Sequence, residues 1–144
     1  MSQHPTGVAQ LTHSPAFIES VDAFNQHHWY AAHDSFEELW YETTGQLRDF
    51  LQALIQISVA EYHLDNGNVR GSTLLMAEGL SHLGACLSLP TGYDLESLHR
   101  LVSARLLALQ HTGDVLTHPR PQLSLISRDT PASVSILIPI IDHQ

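Results

Sequence analysis

The spacing of apolar residues, together with the signals that start and stop helices, constrains this chain to an all-helical fold. The stretch from Leu47 to Asp65 is apolar over most of its circumference, which is typical of a central helix. Asn66-Gly67-Asn68 ends it, because glycine tolerates the left-handed conformation that terminates helices and Asn68 can cap the next one. Ser14-Pro15 and Asp94 are typical helix starts. Five helices are therefore predicted, at about 15–26, 29–43, 47–65, 69–89 and 95–110.

These helices predict an all-α bundle around a central antiparallel helical hairpin, because short connections place neighbouring helices antiparallel. Residues 15–113 form the predicted helical domain, and residues 1–14 a polar, flexible N-terminal arm. Residues 114–144 are predicted to be an extended C-terminal segment that packs on the bundle or on a second subunit. Within it, QLSLIS and SVSILI are rich in aliphatic residues with partial alternation, which favours a short hairpin or a pair of extended segments.

The charge balance excludes some classes of partner. Six arginines and no lysine face fifteen carboxylates, for a formal net charge of −9. Nucleic-acid binding depends on basic side chains that neutralise phosphates, and an anionic membrane would repel this chain for the same reason. We therefore expect neither a nucleic acid nor a membrane as partner.

Other features of the composition favour an ordinary cytoplasmic protein. The chain has 144 residues, which fits one domain, and only 15% of them are charged. So small a charged fraction leaves little polar surface for a monomer, which favours a homo-oligomer. The N-terminus has neither a basic start nor an apolar core of a signal peptide, so the cytoplasm is the expected location. The single cysteine, Cys86, is predicted to be a small buried apolar residue.

The predicted helix at 29–43 has a clear division of faces when its residues are placed 100° apart. Its core face consists of Trp29, Ala32, Phe36, Leu39 and Trp40. His33 and Glu37 lie one turn apart at the border of this face, whereas Asp34 and Glu38 lie further round. We expect the first pair to straddle core and solvent and the second pair to be solvated.

The predicted helix at 47–65 has a narrow polar stripe and one unusual carboxylate. The stripe consists of Asp49, Gln52, Gln56 and His63. Glu61 instead projects from the apolar arc, where an unpaired carboxylate would cost several kcal/mol. It must therefore be paired, protonated or at an interface, and the candidate partners are Arg48, Arg70, Arg100 and Arg105.

The order and spacing of these residues resemble a known family. The stretches FNQHHWYAAHDSFEELW and RDFLQALIQISVAEYHLDNGNVRGSTLLMAEGLSHL, within residues 24–83, resemble domain of unknown function 309. The resemblance implies an all-α bundle with a helical hairpin and implies no reaction. This chain departs from the family pattern at four positions: Asp34 replaces Glu, His27 and Ala53 replace frequent glycines, and Glu61 occupies a position that is normally apolar.

The candidate binding residues are His33, Glu37, Trp40, Gln56 and His63. In one interpretation they form a buried structural network, in which the indole N–H of Trp40 is paired to a polar neighbour. In another, the hairpin is the binding surface of a non-enzymatic protein, which holds a peptide, a ligand or a second copy. In a third, His33, Glu37 and His63 bind one divalent transition metal and support a small hydrolase or related enzyme. The binding protein is the preferred hypothesis, and the metal-dependent enzyme is its alternative.

Overall fold

A computed structural model describes residues 7–126 of the chain. The described residues form an all-α bundle, which confirms the predicted fold class. Its helices are α1 (Val8–Thr12), α2 (Pro15–Asn25), α3 (Trp29–Tyr41), α4 (Gly45–Asp65), α5 (Val69–Gly84) and α6 (Leu95–Leu107). A π-helical turn (Ala108–Thr112) and a 3-10 turn (Val115–Thr117) follow. No helix in this part of the chain has the length and apolar character needed to cross a membrane.

Side chains at the predicted helix starts make the expected caps. Ser14 accepts a hydrogen bond from the backbone N–H of Phe17 at 3.2 Å. Asn68 accepts one from the N–H of Gly71 at 2.9 Å, and Asp94 one from that of Ser97 at 3.0 Å. Each bond satisfies a backbone donor that has no partner inside its helix. The predicted starts of α2, α5 and α6 are therefore confirmed.

Helix α4 is the centre of the bundle and packs most extensively against α5 and α3. Phe50, Leu54 and Ile57 on α4 are fully buried. A group of aromatic rings from α2 and α3 closes the core, with Phe17 and Phe36 in edge-to-face contact at 5.9 Å between centroids. The apolar face of α4 predicted from the sequence is thus the face around which the other helices pack.

Two of the helices, α1 and α5, differ from the prediction. Helix α1 lies within the segment that the sequence predicted to be a flexible arm, and it buries Leu11. Helix α5 ends at Gly84, whereas the apolar pattern predicted a helix to about residue 89. Helix α1 has only five residues, with Val8 and Leu11 against the core, so it is too short for apolar periodicity to reveal it.

The chain after α6 returns to the bundle as an extended segment. Leu125 forms an isolated antiparallel bridge with Tyr93. The side-chain amide of Asn25 on α2 donates to the carbonyl of Leu123 at 3.0 Å and accepts from its N–H at 2.8 Å. The second half of the predicted hairpin, SVSILI, lies outside the described residues.

Candidate functional site

The four polar residues on the solvent side of α3 have the exposure that the sequence predicts. Asp34 and Glu38 are exposed, whereas His33 and Glu37 are half-buried. The Nε2 atom of His33 lies 3.8 Å from Oε1 of Glu37, which is longer than a hydrogen bond. The Nδ1 atom of His33 is buried and has no hydrogen-bond partner within residues 7–126. His33 is therefore only loosely held by polar contacts.

Trp40 lies at the C-terminal end of α3, beside α4. The guanidinium carbon of Arg48 lies 3.8 Å from the centre of its ring, in the geometry of a cation–π contact. Its indole Nε1 is buried without a partner among the described residues. Within residues 7–126, the indole N–H therefore lacks the polar neighbour that the structural-network interpretation expects.

Gln56 makes its hydrogen bonds toward α5 and not toward His33 or Glu37. Its Nε2 donates to Oε1 of Glu78 at 3.1 Å, and its Oε1 accepts from Nδ1 of His82 at 2.8 Å. Sequence reasoning missed Glu78 and His82 as partners. Their spacing of one turn on α5 is a signal that could have suggested a shared polar stripe.

His63 lies near the C-terminal end of α4, where Nδ2 of Asn68 approaches its Nδ1 at 3.5 Å. Within the described part of the chain, the side-chain hydrogen bonds of Gln56 and His63 go to Glu78, His82 and Asn68, and not to His33 or Glu37. Within residues 7–126, no group of three or more His, Cys, Asp or Glu side chains is arranged to hold a metal ion. The predicted metal ligands His33, Glu37 and His63 therefore do not form such a group in this structure.

Three tyrosines that the sequence analysis did not single out are prominent on the same side of the bundle. Tyr30, Tyr41 and Tyr62 are 59%, 70% and 40% exposed. The rings of Tyr30 and Tyr62 are 5.5 Å apart between centroids, and the ring of Tyr30 is 5.4 Å from that of His33. The tyrosines therefore extend the surface around His33 across the α3–α4 boundary.

We call this surface the acidic-aromatic face. It consists of Tyr30, Asp34, Glu37, Glu38 and Tyr41 of α3 and Tyr62 of α4. The α3 members follow the spacing i, i+4, i+7, i+8 and i+11, so they share one side of the helix. Two aromatic rings thus bracket three carboxylates over roughly 16 Å of helix, at 1.5 Å per residue.

The buried carboxylate of Glu61 lies elsewhere, between α4 and α6. Its Oε2 accepts from Nε of Arg105 at 2.6 Å and its Oε1 from Nη2 at 2.7 Å. The remaining guanidinium nitrogen donates to the carbonyl of His118 at 2.9 Å and lies 3.4 Å from the carbonyls of Val115 and Pro119. Burial raises the pKa of Glu61, and the hydrogen bonds and charge of Arg105 oppose that rise. The prediction that Glu61 must be paired, protonated or at an interface is resolved: its partner is Arg105.

Comparison with known proteins finds a family model that matches part of the chain and that indicates no activity. Residues 17–75 match the family model of a domain of unknown function (DUF309). The predicted resemblance to DUF309 is confirmed. No curated protein matches the chain. The DUF309 match includes the whole acidic-aromatic face and Glu61, whereas Arg105 lies beyond it.

Proposed function

We propose that this chain is a non-enzymatic interaction protein that binds a basic segment of a partner protein through its acidic-aromatic face. The observation that supports this proposal is the arrangement of Asp34, Glu37 and Glu38 between the exposed rings of Tyr30 and Tyr41. Lysine and arginine side chains of a partner can form ion pairs with these carboxylates and cation–π contacts with these rings. Tyrosine is also enriched among the residues that dominate binding energy at protein interfaces.

The charge of the chain favours a foreign partner over a second copy at this face. The face itself contains no lysine or arginine, and the whole chain has six arginines against fifteen carboxylates. A second copy would bring mostly negative charge to a negative surface, which costs binding energy. Self-association through another surface, and a cytoplasmic location, stay predictions.

The position of the half-buried His33 also supports a binding site at the acidic-aromatic face. It lies beside Tyr30 and Glu37, and its Nδ1 has no partner within the described residues. The side chain of His33 is still 21% exposed, so the accessible part of its ring can contact a partner that binds at this face. The metal-dependent enzyme is the weaker hypothesis, because residues 7–126 contain no converging set of ligands.

The experiment measures binding of a fluorescein-labelled helical peptide of Lys, Arg, Leu and Ala by fluorescence anisotropy. A matched peptide with Glu in place of Lys and Arg is the probe control. We expect the basic peptide alone to bind. The variant Asp34→Asn, Glu37→Gln, Glu38→Gln should bind it about tenfold more weakly, since exposed charge pairs contribute roughly 0.2–1 kcal/mol each and the variant removes three carboxylates.

A variant with the same change in charge at another place is the matched protein control. Glu19→Gln, Asp22→Asn, Glu96→Gln removes three carboxylates from α2 and α6 and should leave binding within about twofold of wild type. Tyr30→Ser with Tyr62→Ser keeps all charges and should weaken binding about fivefold or more, as loss of an interface tyrosine does. Equal loss in both charge variants would show unspecific attraction and overturn the proposal, as would no binding at all.

A further inference from the structure

The structure also contains a groove whose lining residues all lie outside the acidic-aromatic face. It has a volume of about 520 Å³ and lies between α2 and the extended segment after α6. Ile18, Asp22 and Asn25 form one wall, and Leu123 and Leu125 form the other. Its size is within the range of pockets that hold ligands or side chains of a partner segment.

The extended segment that forms the second wall is hydrogen-bonded along one of its two backbone edges, to residues 92–94. The N–H of Asp94 donates to the carbonyl of Ser124 at 2.7 Å, and the N–H of Ile126 donates to that of Gly92 at 2.8 Å. Backbone groups alternate in direction along an extended chain. Those of Leu123 and Leu125 therefore point to the opposite side, toward α2.

Along that opposite side the pairing is incomplete. The amide of Asn25 satisfies both backbone groups of Leu123, as a neighbouring strand would. The N–H and C=O of Leu125 have no hydrogen-bond partner among the described residues. A strand edge of this kind is a template for another extended segment.

The groove also has exposed apolar side chains on both of its walls. Ile18 is 50% exposed and Leu125 70%, and Ile126, next to Leu125 in the chain, is 55% exposed. An aliphatic segment laid along the edge would cover these side chains and would also pair with the backbone of Leu125. Burial of apolar surface stabilises by roughly 25 cal/mol per Å², so the occupant should itself be apolar and extended.

We propose that the occupant is the chain's own residues 133–138, which lie as an antiparallel strand along the free edge of Leu125. The described part of the chain ends at Ile126, the residue that follows the groove-lining Leu125. Residues 127–132 then provide a connection of ordinary length for a return to the same edge. In the sequence, Val134, Ile136 and Ile138 alternate with serines or leucine, and Pro139 follows, where a strand would end.

Amide hydrogen exchange of the full chain, followed by NMR, tests this proposal at one residue. The N–H groups of Leu123, Asp94 and Ile126 already have partners, so they report whether the described segment is in place. If residues 133–138 occupy the groove, the Leu125 amide exchanges at least about tenfold more slowly than a free amide, as hydrogen-bonded amides do. This measurement needs no variant, and fast exchange at Leu125 beside protected Asp94 and Ile126 overturns the proposal.

Two full-length variants identify the occupant. Val134→Asp, Ile136→Asp, Ile138→Asp should lose protection at Leu125 while Asp94 and Ile126 keep theirs. Ile140→Asp, Ile141→Asp makes the same kind of change beyond Pro139 and should leave Leu125 protected. Unchanged protection in the first variant overturns the proposal. Protection that grows with protein concentration, together with a dimer in light scattering, also overturns it, because the occupant would then come from a second copy.

Discussion

Two acid–base pairs in this molecule differ in nearly every physical respect. Glu61 and Arg105 are almost fully buried and lie 2.6 Å apart, and both carboxylate oxygens have a donor. His33 and Glu37 are 21% and 40% exposed and lie 3.8 Å apart, and Nδ1 of His33 has no partner among the described residues. The carboxylate of the first pair is hydrogen-bonded within the fold, whereas the second pair is partly exposed and its two side chains are too far apart for a hydrogen bond. We infer from this difference that Glu61 and Arg105 contribute more to stability than His33 and Glu37 do.

The largest expected effect is on the complete pair. Arg105→Met leaves the Glu61 carboxylate buried without a partner and also removes the donor to the carbonyl of His118. We expect the free energy of unfolding to fall by about 3–5 kcal/mol, as when one partner of a buried ion pair is removed. Urea unfolding followed by circular dichroism measures this loss.

The control for this prediction removes both charges together. Glu61→Leu with Arg105→Met leaves no unpaired ion, so it should cost less than either single change. A double variant as unstable as the sum of the two single variants would contradict the view that the cost arises from an uncompensated charge.

The two pairs also show how far the sequence reaches. Helical periodicity placed Glu61 on the apolar face of α4, and Glu61 is fully buried. It placed His33 and Glu37 at the border of the core face of α3, and both are half-buried. It left four arginines as partners of Glu61, because the choice depends on how α6 packs against α4. Likewise, periodicity put Gln56 on a polar stripe but did not fix which neighbouring helix that stripe meets. Residue spacing determines faces within one helix, whereas the rotation of one helix against another depends on side-chain packing across the whole core.

Gln56 provides a test of that packing. Its bonds to Glu78 and His82 join α4 to α5, so Gln56→Ala should lower the free energy of unfolding by about 0.5–1.5 kcal/mol. Binding of the basic peptide should stay within about twofold of wild type, because the side chain is not part of the acidic-aromatic face. Loss of peptide binding without loss of stability would contradict this and would show that Gln56 takes part in binding.

The incomplete pair should contribute little to folding. His33→Ala removes a side chain whose Nδ1 makes no hydrogen bond within residues 7–126, so we expect a change in stability within about 1 kcal/mol. Thermal unfolding measures it, and metal analysis of protein purified without a chelating column should give the same content for wild type and variant. A stoichiometric transition metal that is lost in His33→Ala would instead support the enzyme hypothesis.

The smallest expected effect concerns His27, whose pKa responds to its own burial and to the charges of Arg120 and Arg105. Burial lowers the pKa of His27 from its ordinary 6.5, and the positive charges of Arg120 and Arg105 lower it further. The unfolded chain therefore takes up a proton at His27 more readily than the folded chain does. This contribution to stability is present above about pH 6.5 and is lost as the pH falls through that value toward the lower pKa of the folded state.

The variant His27→Asn isolates this contribution, because asparagine tolerates the positive φ of 66° at this position. We expect the free energy of unfolding of wild type to fall more steeply than that of the variant between pH 7 and pH 5. The other histidines titrate in both proteins, so the difference between the two curves reports His27 alone. Parallel curves would contradict the prediction, because they would show that His27 takes up its proton equally readily in the folded and the unfolded chain. A steeper fall in wild type would show that burial, together with the charges of Arg120 and Arg105, disfavours a protonated His27 in the folded state.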